Sequence, residues 1–197
     1  MPTSNPPQLD WARIERWTTQ IVTGDDTDIR RTFEGAARPR FAWKPSQASL
    51  ASDKLRFLMG HWIDLKGAAP MPHMRAIDPL MMRPVLGYIM LLEPIEDGRD
   101  FRYLVYGSQI AAISEGEMTG KLASTLDASQ SVVEFGIASY RSAWRRQAPL
   151  YTVRTPIGAY RTAEWHRLTL PLSGDDGRIA RLIAGSVPLS ADGSLVR

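Results

Sequence analysis

The side chains with catalytic potential are few. The chain has three histidines and no cysteine, which excludes cysteine nucleophiles, thiolate metal sites and disulfides. His166 and Glu164 form the one base–acid pair in a suitable neighbourhood, because an i, i+2 spacing on an alternating segment puts both on one strand face. An imidazole there, turned inward, could hydrogen-bond a ligand carboxylate or carbonyl. His61 borders an apolar helical stripe with no second ligand at helical spacing, and His73 stands between Pro72 and Met74 without a partner in view. Asp25, Asp26 and Asp28 lack the alternating acidic pattern and distal Glu of a calcium loop, so they read as capping and turn residues. Asp175-Asp176 lies between glycines in a tight hairpin and reads as a turn pair. No metal site emerges from these positions.

Charge adds little. The 24 Lys+Arg and 21 Asp+Glu leave a net charge of +3. The densest basic stretches, Arg141 with Arg145 and Arg146, and Arg38 with Arg40 and Lys44, are scattered rather than ranged along one face, so nucleic acid is not an expected partner. No apolar run nears the roughly 18 residues a membrane span needs. The N-terminus lacks the basic and continuous apolar segments of a signal peptide. A cytoplasmic protein is the expectation, with no membrane partner.

The elements that would position these groups follow from periodicity. Asp10 caps a helix with Trp11, Ile14, Trp17 and Ile21 on one side, ending near Gly24. Residues 36–49, with two prolines and little periodicity, read as a linker, although Phe41 and Trp43 imply that it docks on something. Three tryptophans in this region are costly to leave in water, so it should pack on the main domain or on a second copy. Ser52-Asp53 begins a helix with Leu55, Leu58, Met59, Trp62 and Leu65 at helical spacing, stopped by Gly67. Residues 68–84 hold four prolines and four methionines and read as irregular core filling beneath a loop.

Strands are expected over 87–93 and 101–106, joined through the hairpin signal Asp97-Gly98. Short helices over 108–125 then form a lid. A longer helix over 127–146 carries Val133, Ile137, Tyr140 and Trp144 on one stripe. Three more strands follow, over 150–155, 161–172 and 179–187. Two hairpins flanking a helical block argue for one antiparallel sheet with helices on one face, an α+β design.

That order resembles the PAS domain, and within it a bacterial subfamily of small proteins without an attached output domain. The resemblance rests on the helix 52–67, the Ile77-Asp78-Pro79 step, the strand 101–106 with its short helix and the Met118-Thr119-Gly120 corner. The strand end at Leu168-Thr169-Leu170-Pro171-Leu172 and the Asp176-Gly177 hairpin complete it. It implies a PAS-like five-stranded antiparallel sheet cupping a cavity over residues 51–190, preceded by an N-terminal helix and proline-containing linker over 1–50. PAS domains bind haem, flavins, small metabolites or nothing, and often act through dimer contacts. Here the absence of cysteine argues against a cysteinyl flavin, and the absence of histidine from 127–146 argues against haem, so the cofactor stays open.

By strand and helix alternation the candidate pocket is lined by Tyr103, Val105, Ile137, Tyr140, Trp144, His166 and Leu168. The reading is a non-catalytic sensory or regulatory module, signalling through protein contacts. A small-molecule ligand, a homodimer through the Trp-rich N-terminal helix and an unidentified protein partner are the expected partners. The alternatives are a structural adaptor with a solid core, or a small His-dependent isomerase or dehydratase built on His166 and Glu164.

Overall fold

The computed structural model describes residues 8–33, 38–114, 116–156 and 163–196; the expected start of a strand at Arg161 lies outside them. The first helix, α1 (Trp11–Thr23), begins where the Asp10 carboxylate accepts the Arg13 amide at 2.9 Å, and it ends at Gly24 in the left-handed region. Its stripe of Ile14, Trp17 and Ile21 is fully buried. A short helix α2 (Thr27–Thr32) delivers Phe33 against Trp17, with ring centroids 5.8 Å apart. Helix α3 (Asp53–Lys66) starts on the Ser52 hydroxyl, which accepts the Lys54 amide, and buries Leu55, Leu58, Met59 and Trp62. The methionine-rich stretch that follows runs through 3-10 turns and sends Met71 and Met82 into the core, as expected of irregular filling.

The strands are β1 (Arg40–Trp43), β2 (Ile89–Ile95), β3 (Asp100–Tyr106), β4 (Leu150–Arg154), β5 (Glu164–Ser173) and β6 (Ile179–Leu189). They form one sheet in the order β1-β4-β5-β6-β2-β3, with every neighbouring pair antiparallel. The fold is α+β, but the sheet has six strands rather than the five expected. The sixth is β1, taken from the segment that reads as a linker. Four residues bounded by Pro39 and Pro45 carry too little alternation to register as a strand. Pairing with β4, from Arg40 opposite Val153 to Trp43 opposite Leu150, makes them one.

Between β3 and β4 lie α4 (Ser108–Ser114), a 3-10 turn at Ala123–Thr125 and α5 (Gln130–Arg146). The expectation of helices on one face does not hold. Along β6, Leu182 and Ala184 point into a core shared with α5 and α1, while Ile183, Val187 and Leu189 point into a second core shared with α3. Helix α3 comes so close on its side that a Cβ at Gly185 would stand 2.8 Å from the Leu55 and Leu58 methyls. The physical reason is legible afterwards: a central strand apolar at nearly every position is covered on both faces. The stripe on α3 identifies a buried helix face without saying which side of the sheet receives it.

The N-terminal segment is part of this architecture. Ile14, Trp17, Ile21, Ile29 and Phe33 share one core with Tyr103, Ile137 and Tyr140. Trp43 adds a hydrogen bond from its indole N–H to the Ile21 carbonyl, at 2.8 Å. Truncating the fully buried Trp17 to Ala therefore should cost about 3–5 kcal/mol of stability, read as a lowered urea midpoint with the unfolding still cooperative.

Candidate functional site

Beneath α5, a polar and aromatic cluster interrupts an otherwise apolar core. Tyr103 and Tyr106 both turn toward α5 although they lie three positions apart on one strand. A β-bulge explains this. Leu91 pairs with Val105 but Leu92 pairs with Tyr103, so Leu104 is the extra residue and the alternation inverts there. Tyr140 enters from α5, its hydroxyl 3.3 Å from that of Tyr103 and 3.9 Å from the Met90 sulfur. The Tyr106 hydroxyl lies 3.4 Å from the Ser114 hydroxyl on α4. The Tyr103 ring meets Tyr106 and Tyr140 edge-on, with centroids 5.1 and 6.4 Å apart.

Arg167 reaches into the same space from β5. Its guanidinium carbon lies 5.2 Å from the Tyr140 ring centroid, and one terminal nitrogen lies 3.8 Å from where a Cβ on Gly136 would stand. Directly opposite on β6 is Ser186, fully buried. The Ser186 hydroxyl and the Arg167 Nε are both sealed from solvent without a hydrogen-bond partner. Burial works against the guanidinium charge, and what raises its pKa is the negative charge Tyr140, Tyr103 and Tyr106 would carry once ionised, so at neutral pH their protonated rings leave that charge uncompensated. Burial, reinforced by Tyr140, pushes the Tyr103 phenol well up, and burial likewise raises Tyr106. These two phenols therefore stay protonated and available as donors at neutral pH. The cluster thus offers more donors than acceptors.

Of the seven residues nominated by alternation, Tyr103, Ile137 and Tyr140 come together here. Trp144 lies a turn further along α5, over the β2–β3 hairpin, where a Cβ on Gly98 would touch its ring at 2.7 Å. Val105 faces away and is 42% exposed, because of the bulge. His166 and Leu168 project from the opposite face of β5, toward α3. Both faces of β5 are buried, so alternation alone could not choose between His166 and Arg167, and a one-residue slip exchanged them. Tyr106, Arg167 and Ser186 are the members that sequence reasoning missed. The available signal was a lone arginine inside a ten-residue strand.

The histidines have structural partners. His61 stacks on Phe57 with 7° between the rings, and His73 accepts the Arg75 amide at 3.2 Å while facing Asp175. His166 is held at both ring nitrogens: Nδ1 lies 2.6 Å from the Tyr151 hydroxyl and Nε2 lies 3.1 Å from Glu164, itself ion-paired to Arg40. Donation from Nε2 to the carboxylate and from the phenol to Nδ1 describes a neutral imidazole. Among the described residues, no group of three or more His, Cys, Asp or Glu side chains is arranged to hold a metal.

Comparison with known proteins bears on this geometry. A protein-family model described as PAS domain matches residues 50–186, from the approach to α3 through most of β6, and so takes in the whole cluster under α5. The chain belongs to the PAS domain family. No curated protein and no solved structure gives a match.

The state of His166 sets a pH dependence. Burial lowers its pKa below the ordinary value, with Glu164 opposing only in part. The unfolded chain therefore binds the proton more readily than the native one, and stability falls as pH drops through the unfolded value of about 6.5 toward the lower native value. Urea midpoints measured between pH 8 and pH 5 should fall across that window, and His166→Asn should flatten the dependence.

Proposed function

We propose that this PAS-domain protein is a non-catalytic sensory or regulatory module, binding a small ligand between α5 and the sheet and passing its occupancy to other proteins through α1. The observation that carries this reading is that α5 is a shared wall. Its inner face presents Tyr140 and Ile137 to the cluster, and its outer face is strapped to α1.

The strapping is polar and distributed. Glu134 on α5, fully buried, accepts the Asp10 amide at 2.7 Å and the Gln130 amide at 2.8 Å, and pairs with Arg13 at 3.2 Å. One turn of α1 further on, Glu15 receives both Arg141 and Arg145, at 2.6 Å each; the Arg145 hydrogen bonds lead in holding its carboxyl below the usual range. The Ser142 hydroxyl reaches the Thr18 carbonyl at 3.2 Å. Near the C-terminal end of α1, Arg146 donates to the Val22 carbonyl at 2.9 Å. A ligand that shifts α5 would then have to carry α1 with it or break these contacts, and that is the coupling the reading relies on.

Because the apolar stripe of α1 is spent on α5, a partner, whether a second copy or another protein, would meet the polar side bearing Ala12, Arg16 and Thr19. The cysteine-free composition fits a reducing compartment, and among the described residues no helix is long and apolar enough to cross a membrane. The catalytic alternative on His166 has a specific observation against it: both ring nitrogens are engaged, and the ring faces α3 rather than the cluster.

Native mass spectrometry of the gently purified chain should show a small bound mass. Amide exchange over residues 11–23 should slow in loaded protein relative to stripped protein, by more than it slows over α3. Equal effects on the two helices, or no bound mass, would reject the reading.

A further inference from the structure

We infer that the small molecule bound under α5 is an organic carboxylate, held by the guanidinium fork of Arg167 with the hydroxyls of Ser186 and the surrounding tyrosines. The inference rests on the reading that a ligand binds there, and it names the ligand's chemical class.

The argument begins with pairing. Of the arginines that strap the helical layer, Arg13 pairs with Glu134 and Arg141 and Arg145 pair with Glu15, while the exposed Arg146 donates to the Val22 carbonyl. On the sheet, Arg40 pairs with Glu164 and Arg181 with Glu93. Arg167 has no ion pair among the described residues, although its Nε is sealed from solvent. A guanidinium removed from water is expensive unless a charge and hydrogen-bond acceptors replace the hydration. The Tyr140 face offers a cation–π contact, which satisfies none of the N–H donors in their plane.

Two further orphans sharpen the picture. Ser186, opposite Arg167 in the strand register, is fully buried and its hydroxyl has no partner. The Tyr103 and Tyr106 hydroxyls touch only other hydroxyls, at 3.3 and 3.4 Å, which are long for O–H···O bonds. Arg167 Nε and Ser186 Oγ both lack an acceptor, and the tyrosine hydroxyls beside them have only weak ones, a neighbouring hydroxyl or the Met90 sulfur. A carboxylate supplies two oxygens that match the planar fork and can accept from hydroxyls as well. The other side chains in this core, Met90, Ile110 and Met118, suit an apolar body rather than a heavily hydrated dianion, which favours a carboxylate over a phosphate.

A site kept for a ligand has a signature that a structural cation lacks. Replacing an uncompensated buried charge by an apolar chain of similar length should leave the empty protein as stable as before, or more so, while destroying binding.

The test uses the full-length protein with acetate, succinate and benzoate as probes and benzyl alcohol as the neutral counterpart of benzoate. Binding is followed by calorimetry and by the 15N resonance of the Arg167 Nε–H. At least one carboxylate should give a saturable shift of that resonance, and benzyl alcohol should bind about tenfold more weakly than benzoate or worse. Arg167→Met should lose about tenfold or more in carboxylate affinity with an unchanged or raised ligand-free Tm, and Arg167→Lys should recover only part of it. Ser186→Ala should weaken binding several-fold while leaving the ligand-free Tm in place. The carboxylate assignment is overturned if none of the three anions saturates, if Arg167→Met keeps wild-type affinity, or if it lowers the ligand-free Tm by several degrees. Benzyl alcohol binding as tightly as benzoate would sink the carboxylate alone and leave the ligand-binding module standing. A failure of the module itself shows separately, in the α1 exchange experiment.

Discussion

Helix α5 is buried on both sides, by the sheet beneath and by α1 above, and the rest of the structure follows from how its polar groups are satisfied. A helix in that position has no solvated face on which to leave charged or hydroxylated side chains. Ser139 and Ser142 bond back to the carbonyls of Phe135 and Ala138. Glu134 collects a backbone amide, a side-chain amide and an arginine. Arg141 finds Glu15. The hydroxyls are met within α5, but the ion-pair partners of the charged groups come from α1, so the first helix is what makes α5 tolerable in this place. Pairs of this kind add little net stability but are costly to break, because the survivor is left charged and buried. They make the α1–α5 contact specific more than strong.

Against that background the underside of α5 stands out. Among the described residues, the upper side pairs its charges within the chain, although Glu134 Oε2 and Arg141 Nε make no hydrogen bond, while the lower side confronts an arginine without any ion pair and a serine without a partner. The bulge at Leu104 belongs to the same arrangement, since without the inversion Tyr103 and Tyr106 would face opposite ways. The α3 side of the sheet shows the contrast. Its core is largely apolar, its methionines fill irregular gaps, and its histidine is held between Tyr151 and Glu164 near the β1 edge. The α3 face leaves one buried polar atom unpaired among the described residues, His61 Nε2, whereas the α5 face gathers Arg167 Nε and Ser186 Oγ side by side.

Much of the chain's organisation was readable from its residues. Asp10 and Gly24 bound the first helix as capping chemistry requires, and Ser52 and Gly67 bound α3. Asp97 and Gly98 turn the first hairpin with positive φ, as their types imply. Tyr103, Ile137 and Tyr140 were legible as inward-facing from spacing alone. The failures share a different character. β1 exists only because residues more than a hundred positions away pair with it. Val105 was lost to a bulge that depends on the register of β3 against β2.

Local order is therefore what the sequence by itself determined: which segments are helical, which extended, where turns fall, and the PAS-like succession they make. Those follow from caps, turn residues and periodicity, which act over a few residues. Only the tertiary structure decided which face of the sheet each helix covers, that a linker becomes a sixth strand, and that Arg167 rather than His166 meets Tyr140. The reason is physical. A period of two states that neighbouring side chains point apart, but it carries no sign, and on a strand buried on both faces only the packed helices supply one.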